Sequence, residues 1–415
     1  MKISINKIIT KLTIYYPAIS CFLVTVSNVL GRTIAQVFIV LLAVSLLIEK
    51  RKGSGPTLLA LIVFTYINAI RFGVDYIIHQ DFYGFFLLIL IFIYYSNPKN
   101  IMKIRRQFNN KQRIELSILF YYLFLFLSIA AGKGLMVSAE WGVSIPMLYG
   151  PYSLPHSTAY QLIVIYAMSS ILYHQHPCRK YVAVMVFSFG MLMWTGVRSA
   201  FLAIFFMVLF DICSVKKYRL KATLLLIGPL VLIYLAMFTN ILTNNPIIQK
   251  TLTAAAKKSG ITNSRTDFNS YLMNIYLHKT SFVEKMFGIG MDRVRRFMYL
   301  RYGTELHAHN DILNSLLGMG IAGLYLYVKN MIGFCKSSKK ELYVFVILFV
   351  LCFTNGLYMY LPFIPSIVIL IIYSDELMNA RIKNESRANS FNRNSCIQRR
   401  EDHFGSVELH PETNM

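Results

Sequence analysis

The sequence predicts an all-α, polytopic integral membrane protein of about twelve transmembrane helices, with one large, partly helical loop on its outer face. Three observations carry this. The 415 residues are 56% hydrophobic and 15% charged, whereas soluble domains run near 25% charged. The apolar residues are gathered in blocks of about 15–20, close to the roughly 20 that cross a hydrocarbon core. In lipid every backbone amide must find a partner within its own segment, so each block reads as a helix.

In order, the blocks are Leu12–Leu30, Thr33–Ile48, Pro56–Ile70, Tyr83–Ser96, Glu115–Gly132 and His156–His174. They continue as Tyr181–Thr195, Ser199–Ser214, Ala222–Thr239, His309–Lys329, Leu342–Leu357 and Leu361–Ile372. The first lacks a clear small-residue cleavage site and reads as a retained helix. The expected organisation is a helical bundle over 1–374, with a loop at 240–308 between the ninth and tenth helices. A polar, disordered tail is expected over 375–415.

The net charge of +23 is unevenly placed. Lys and Arg of short loops stay on the cytoplasmic side. With the N-terminus inside, the inner segments collect Lys50–Lys52, Lys99–Arg113, Arg179–Lys180, Lys216–Lys221 and Lys336–Lys340. The short outer loops hold only Arg32, Arg71, Lys133 and, at a helix mouth, Arg198. Both ends are therefore expected in the cytoplasm. The basic inner loops read as topology signals; a lipid-headgroup or nucleic-acid site is the alternative, and no nucleic-acid partner is expected. On this topology no cysteine falls in an outer loop, so neither a disulfide framework nor a metal spacing is expected.

The long outer loop is exempt from the orientation rule, yet it carries ten basic residues, among them Arg265, Arg293, Arg295, Arg296 and Arg301, against four acids. An anionic ligand accounts for that excess; a solvated basic surface is the alternative. Asn245-Pro246 reads as a helix start, with an end near Gly260. A second helix is expected from Ser264, with Phe268, Tyr271, Leu272 and Ile275 as an apolar stripe lying on the membrane or the bundle. Arg265 falls in its first turn, where free N–H groups and the dipole favour phosphate. Gly288 and Gly290 suggest a tight turn or close backbone approach.

Three features meet at the outer mouth. Arg198 lies in Thr195-Gly196-Val197-Arg198-Ser199-Ala200, between two apolar runs, where a charge faces a cavity or snorkels to the headgroups. Arg265 is the second. The third is His307-Ala308-His309-Asn310-Asp311, where the chain re-enters the membrane. A histidine there is either a plain interfacial residue or a proton acceptor near neutral pH. Two histidines two apart also raise a metal site, but no ligand set completes it and no cofactor is expected. Two arginines able to grip a pyrophosphate, beside a histidine able to take a hydroxyl proton, are the parts needed to displace a lipid pyrophosphate with a sugar hydroxyl.

His309-Asn310-Asp311 followed by Gly318-Met319-Gly320-Ile321-Ala322-Gly323 resembles the re-entry motif of the O-antigen polymerase and O-antigen ligase superfamily. Thr195–Leu202, Ser264-Arg265-Thr266, Phe287–Gly290 and Gly150–Ser157 resemble further elements of it, in the same order. Val197 departs from the pattern, standing where a serine commonly precedes the arginine. The resemblance implies a metal-independent, inverting glycosyltransferase of the bacterial inner membrane with a periplasmic site. Its donor would be an undecaprenyl-pyrophosphate-linked oligosaccharide. Arg198 and Arg265 would bind the pyrophosphate and His309 would activate the acceptor. His307, Asn310, Arg293, Arg295, Arg296 and Arg301 are weaker candidates. A chain-length regulator and a flippase of the same pathway are possible partners, besides membrane lipids. The 306–311 and 150–157 stretches look more like a polymerase than a ligase. A transporter is the rival class; it is disfavoured because the helices carry acids only near their ends, at Glu115, Asp211 and Asp311.

Overall fold

A computed structural model describes residues 5–48, 54–74, 76, 80–137, 146–214, 246–247, 249, 265–303, 310–380 and 382. The described part is all-α apart from one two-residue hairpin. The helices are α1 (Ile5–Val26), α2 (Asn28–Ile48), α3 (Ser54–Phe72), α4 (Gln80–Tyr95), α5 (Pro98–Phe108) and α6 (Lys111–Ala130). After the hairpin, β1 (Leu135–Met136) and β2 (Met147–Leu148), come α7 (Pro155–Gln175), α8 (Arg179–Trp194) and α9 (Arg198–Ser214). The long segment after α9 contributes α10 (Arg265–His278), α11 (Phe282–Phe287) and α12 (Met291–Tyr302). The chain then enters α13 (Asp311–Cys335) and α14 (Glu341–Thr354), followed by a short 3-10 turn, Ile364–Ser366, and a last helix, α15, over 369–380.

Among the described residues, five helices are both long and apolar enough to cross a membrane: α1, α2, α3, α6 and α13. The bent pair α4–α5 would make a sixth. Burial separates lipid-facing from central helices. α2 and α3 expose Val37, Val40, Leu47, Leu59, Ile62 and Tyr66. α7 buries every side chain from Ser157 to Leu172, as a helix enclosed on all sides must. With α4, α13 and the fully buried run from Phe363 to Tyr373, it forms the centre of the bundle.

Four elements differ from expectation. The first predicted block, Leu12–Leu30, spans a break at Ser27 between α1 and α2. The basic stretch after α4 is a helix of its own, α5, bent 88° from α4. Asn97 caps it, Pro98 starts it, and Ile101, Ile104 and Phe108 bury one face in the core at helical spacing. Leu361–Ile372 is turn and 3-10 structure up to 368. The tail boundary moves as well: α15 runs past Asp375, whose carboxylate takes Arg105 at 2.8 Å and the Lys339 N–H at 2.6 Å. Those ties hold a segment whose composition alone reads as loose. Ala222–Thr239, the helix expected between Asn245 and Gly260, and 383–415 lie outside the described residues, apart from Pro246, Ile247 and Gln249 within α-helical turns.

Candidate functional site

Two structures organise one end of the bundle. The first is a break in α13. Gly320 takes φ 70°, ψ −173° inside an otherwise continuous helix, a region open essentially to glycine alone. The break frees carbonyls in the preceding turn, and the loop between α11 and α12 satisfies them. Ile289 N–H donates to Leu317 O at 2.8 Å, and Gly290 N–H to Gly318 O at 3.1 Å. Irregular backbone at membrane depth needs such cover from protein. The approach is so close that a Cβ on Gly288 would overlap the Gly318 carbonyl, and one on Gly320 would overlap the Met286 backbone. The two glycines at 288 and 290 thus serve a close approach, with φ 85° and 88°.

The loop is pinned on its other side by Arg71, at the end of α3, whose Nη2 donates to Gly288 O at 2.8 Å while its guanidinium lies 4.7 Å from the Phe72 ring centre. The apolar stripe of α10 settles on the bundle. Leu272 and Tyr276 pack with Ile289, Val294, Met298, Leu313 and Leu317 in a second core. α11 opens on a capping box, Ser281 with Glu284. The Ser281 N–H, then its hydroxyl and the charges of Arg293 and Arg71, hold the Glu284 carboxyl below its usual range, against some desolvation.

The second structure joins four helix ends. α7, α9 and α13 begin, and α14 finishes, at the same end of the bundle. α9 starts after a turn in which Gly196 takes φ 68° and the Thr195 hydroxyl receives Val197 N–H at 3.3 Å. The next residue is Arg198, half-buried. Its neighbour Ser199 meets the hydroxyl of Tyr160, from the second turn of α7; that hydroxyl also meets Asn355 and lies 3.3 Å from Gly356 O. The His156 ring stacks on Tyr360 at 5.3 Å, and Tyr360 accepts from Asn355.

Asp311, fully buried at the start of α13, completes the group. Its Oδ2 accepts Leu357 N–H at 2.6 Å and the Tyr327 hydroxyl at 2.9 Å. Asn310 caps α13, its Oδ1 accepting from Ile312 and Leu313 N–H at 2.9 and 3.3 Å.

The predicted site residues fall out unevenly. Arg198 and Asn310 come to the same end of the bundle, although Asn310 uses its side chain as a cap. Arg265 is the first residue of α10. His307 and His309 lie outside the described residues. Arg293 is ion-paired with Glu284 at 3.0 Å. Arg301 lies 5.8 Å from the Tyr271 ring centre, Arg296 is exposed, and Arg295 is half-buried on α12. Arg71, Tyr160, Asn355, Gly356 and the burial of Asp311 were not expected from the sequence. Asn355-Gly356 is a turn signature that marks the end of α14, but nothing in the order of residues says that it faces Asp311, 45 positions earlier.

No curated protein matches the chain. A family model described as O-antigen ligase (Wzy_C) matches residues 183–328, from α8 through α9 and the loop helices into α13. The match covers about a third of the chain, and this similarity supports placing the protein in the O-antigen polymerase and ligase superfamily.

Proposed function

We propose that the protein polymerises a surface glycan at the outer face of the bacterial inner membrane, with undecaprenyl-pyrophosphate-linked repeat units as donor. The observation that carries the proposal is the O-antigen ligase family match over the segments that bear Arg198, Arg265 and His309. The shared outer end of α9 and α13 agrees with it. In this reading an acceptor sugar hydroxyl attacks the anomeric carbon of the donor glycan, with inversion. The bond from that carbon to the pyrophosphate oxygen breaks. His309 takes the hydroxyl proton, and Arg198 and Arg265 carry the charge growing on the departing lipid pyrophosphate. Both chain ends lie in the cytoplasm, and a chain-length regulator and flippase act beside it.

The description of the matched family favours a second reading, in which the same machinery passes the glycan to a lipid A core sugar. Replacing His309 by Ala, with membrane expression confirmed, separates the two. Loss of all but the single-repeat band in the lipopolysaccharide ladder identifies the polymerase. Loss of every capped band, with lipid-linked polymer accumulating, identifies the ligase. An unchanged ladder refutes the role of His309. Arg198→Ala and Arg265→Ala are expected to match His309→Ala.

A further inference from the structure

Asp311 opens α13 directly after its cap Asn310, two positions after His309 in the sequence. It is 0% exposed. Removing a carboxylate from water is costly unless its partners are well placed, so a buried Asp at this point needs a compensating role. Its partners come from the 357–358 turn, from Tyr327 and from the Cys352 thiol of α14. Leu357 N–H belongs to the turn after α14, and the Tyr327 hydroxyl to α13 four turns further along.

Gly356, at φ 96°, leaves room for Oδ1 where any Cβ would crowd it. The carbonyl of the same Gly356 faces the Tyr160 hydroxyl, which in turn meets Ser199 beside Arg198. A continuous chain of contacts therefore runs from the start of α13, through the 355–357 turn and α7, to the start of α9.

We propose that Asp311 is a positioning residue, which sets the start of α13 relative to Arg198. This rests on the assignment of His309 and Arg198 made above. It predicts that Asp311 acts on turnover rather than on donor affinity. Asparagine keeps an oxygen for both donors and should substitute; alanine should not.

The test uses full-length protein in nanodiscs, with undecaprenyl-pyrophosphate-linked repeat units extracted from membranes as donor. Melting midpoints are measured on every variant, and activity is expressed per folded molecule. Misplacing a reacting group by about 1 Å costs on the order of 100-fold. Asp311→Ala should therefore lose kcat on that scale with KM for the donor nearly unchanged, and Asp311→Asn should restore it. Tyr327→Phe, which keeps Asp311 and the Leu357 bond, should lose kcat to a lesser degree while melting near the wild type.

Wild-type kcat in folded Asp311→Ala overturns the proposal. If that variant does not fold, wild-type kcat in Tyr327→Phe overturns it. A loss in Asp311→Ala that Asp311→Asn shares in full also overturns it. His309→Ala is run alongside. Full activity there refutes the assignment of His309 itself, whereas a dead His309→Ala beside a fully active Asp311→Ala refutes only the positioning role.

Discussion

Replacing Gly288 by alanine should detach the α10–α12 loop from the bundle, and the structure sets the scale. Gly288 has φ 85° and ψ 166°, a region whose occupation by a residue with a Cβ costs about 1–3 kcal/mol. The new methyl group would also overlap the Gly318 carbonyl and the Met319 nitrogen, backbone atoms that cannot swing aside. Relief requires the 288–290 segment to lift from α13. That breaks the Ile289–Leu317 and Gly290–Gly318 bonds, worth about 1 kcal/mol each, and the charged Arg71–Gly288 bond, worth about 1.5–3 kcal/mol. A complete detachment therefore costs about 3.5–5 kcal/mol.

Two glycines serve as controls. Gly303 has φ 72° with open space around it, and alanine there pays only the left-handed penalty of about 1–2 kcal/mol. At Gly290 the nearest atoms are the Phe72 ring at 3.4 Å, a tight but yielding neighbour. The measurements are the apparent melting midpoint in detergent and tryptic cleavage after Arg293, Arg295 and Arg296. Gly288→Ala should open these sites at trypsin levels that leave wild type and Gly303→Ala intact, and Gly290→Ala should fall between. If Gly288→Ala and Gly303→Ala behave alike in both assays, the close packing of loop on helix is refuted.

Asn310→Ala should cost about 1 kcal/mol through loss of the α13 cap, while Asn310→Ser or Asp restores both stability and activity; activity lost in all three would show a chemical role for the amide. Arg293→Ala should leave turnover unchanged and shift the melting midpoint by very little, because an exposed ion pair is worth about 0–1 kcal/mol; a dead variant would return Arg293 to the donor site. Glu284 has its pKa lowered in the folded protein, by Ser281 first, so its stabilising effect is present above the ordinary carboxylate range and is lost as pH falls through the folded value. Melting curves of wild type and Glu284→Gln should differ at neutral pH and converge in acid; a gap that persists or widens in acid would contradict the assigned sign.

Much of the fold is legible because hydropathy blocks and lipid impose a short menu. Block boundaries fail where an apolar run conceals a break, as at Ser27, or where a basic segment conceals a helix, as at α5. α5 repeats Ile101, Ile104 and Phe108 at helical spacing, a signal overshadowed by its charges, which satisfy the orientation rule on their own. The outer mouth is half legible. Arg198 stands out as a lone charge between apolar runs, and the glycines at 288 and 290 announce a close approach without naming its partner. Asp311 stood at a helix end, where an acid usually meets water or the dipole. Its burial depends on the 355–357 turn, a contact between distant parts of the chain that no local pattern encodes. Arg71 counted only toward topology for the same reason: its partner, Gly288, is 217 residues away.

The broken α13 has a consequence for how such chains diversify. Because residues 288–290 complete the hydrogen bonding of a membrane helix, the outer loop is not an exchangeable attachment. A chimaera that imports a foreign loop between α9 and α13 must bring its own matching Leu317–Gly320 segment, or leave main-chain carbonyls bare in the bilayer. Evolution of this loop would then proceed by paired replacement, with the two ends of the joint inherited together.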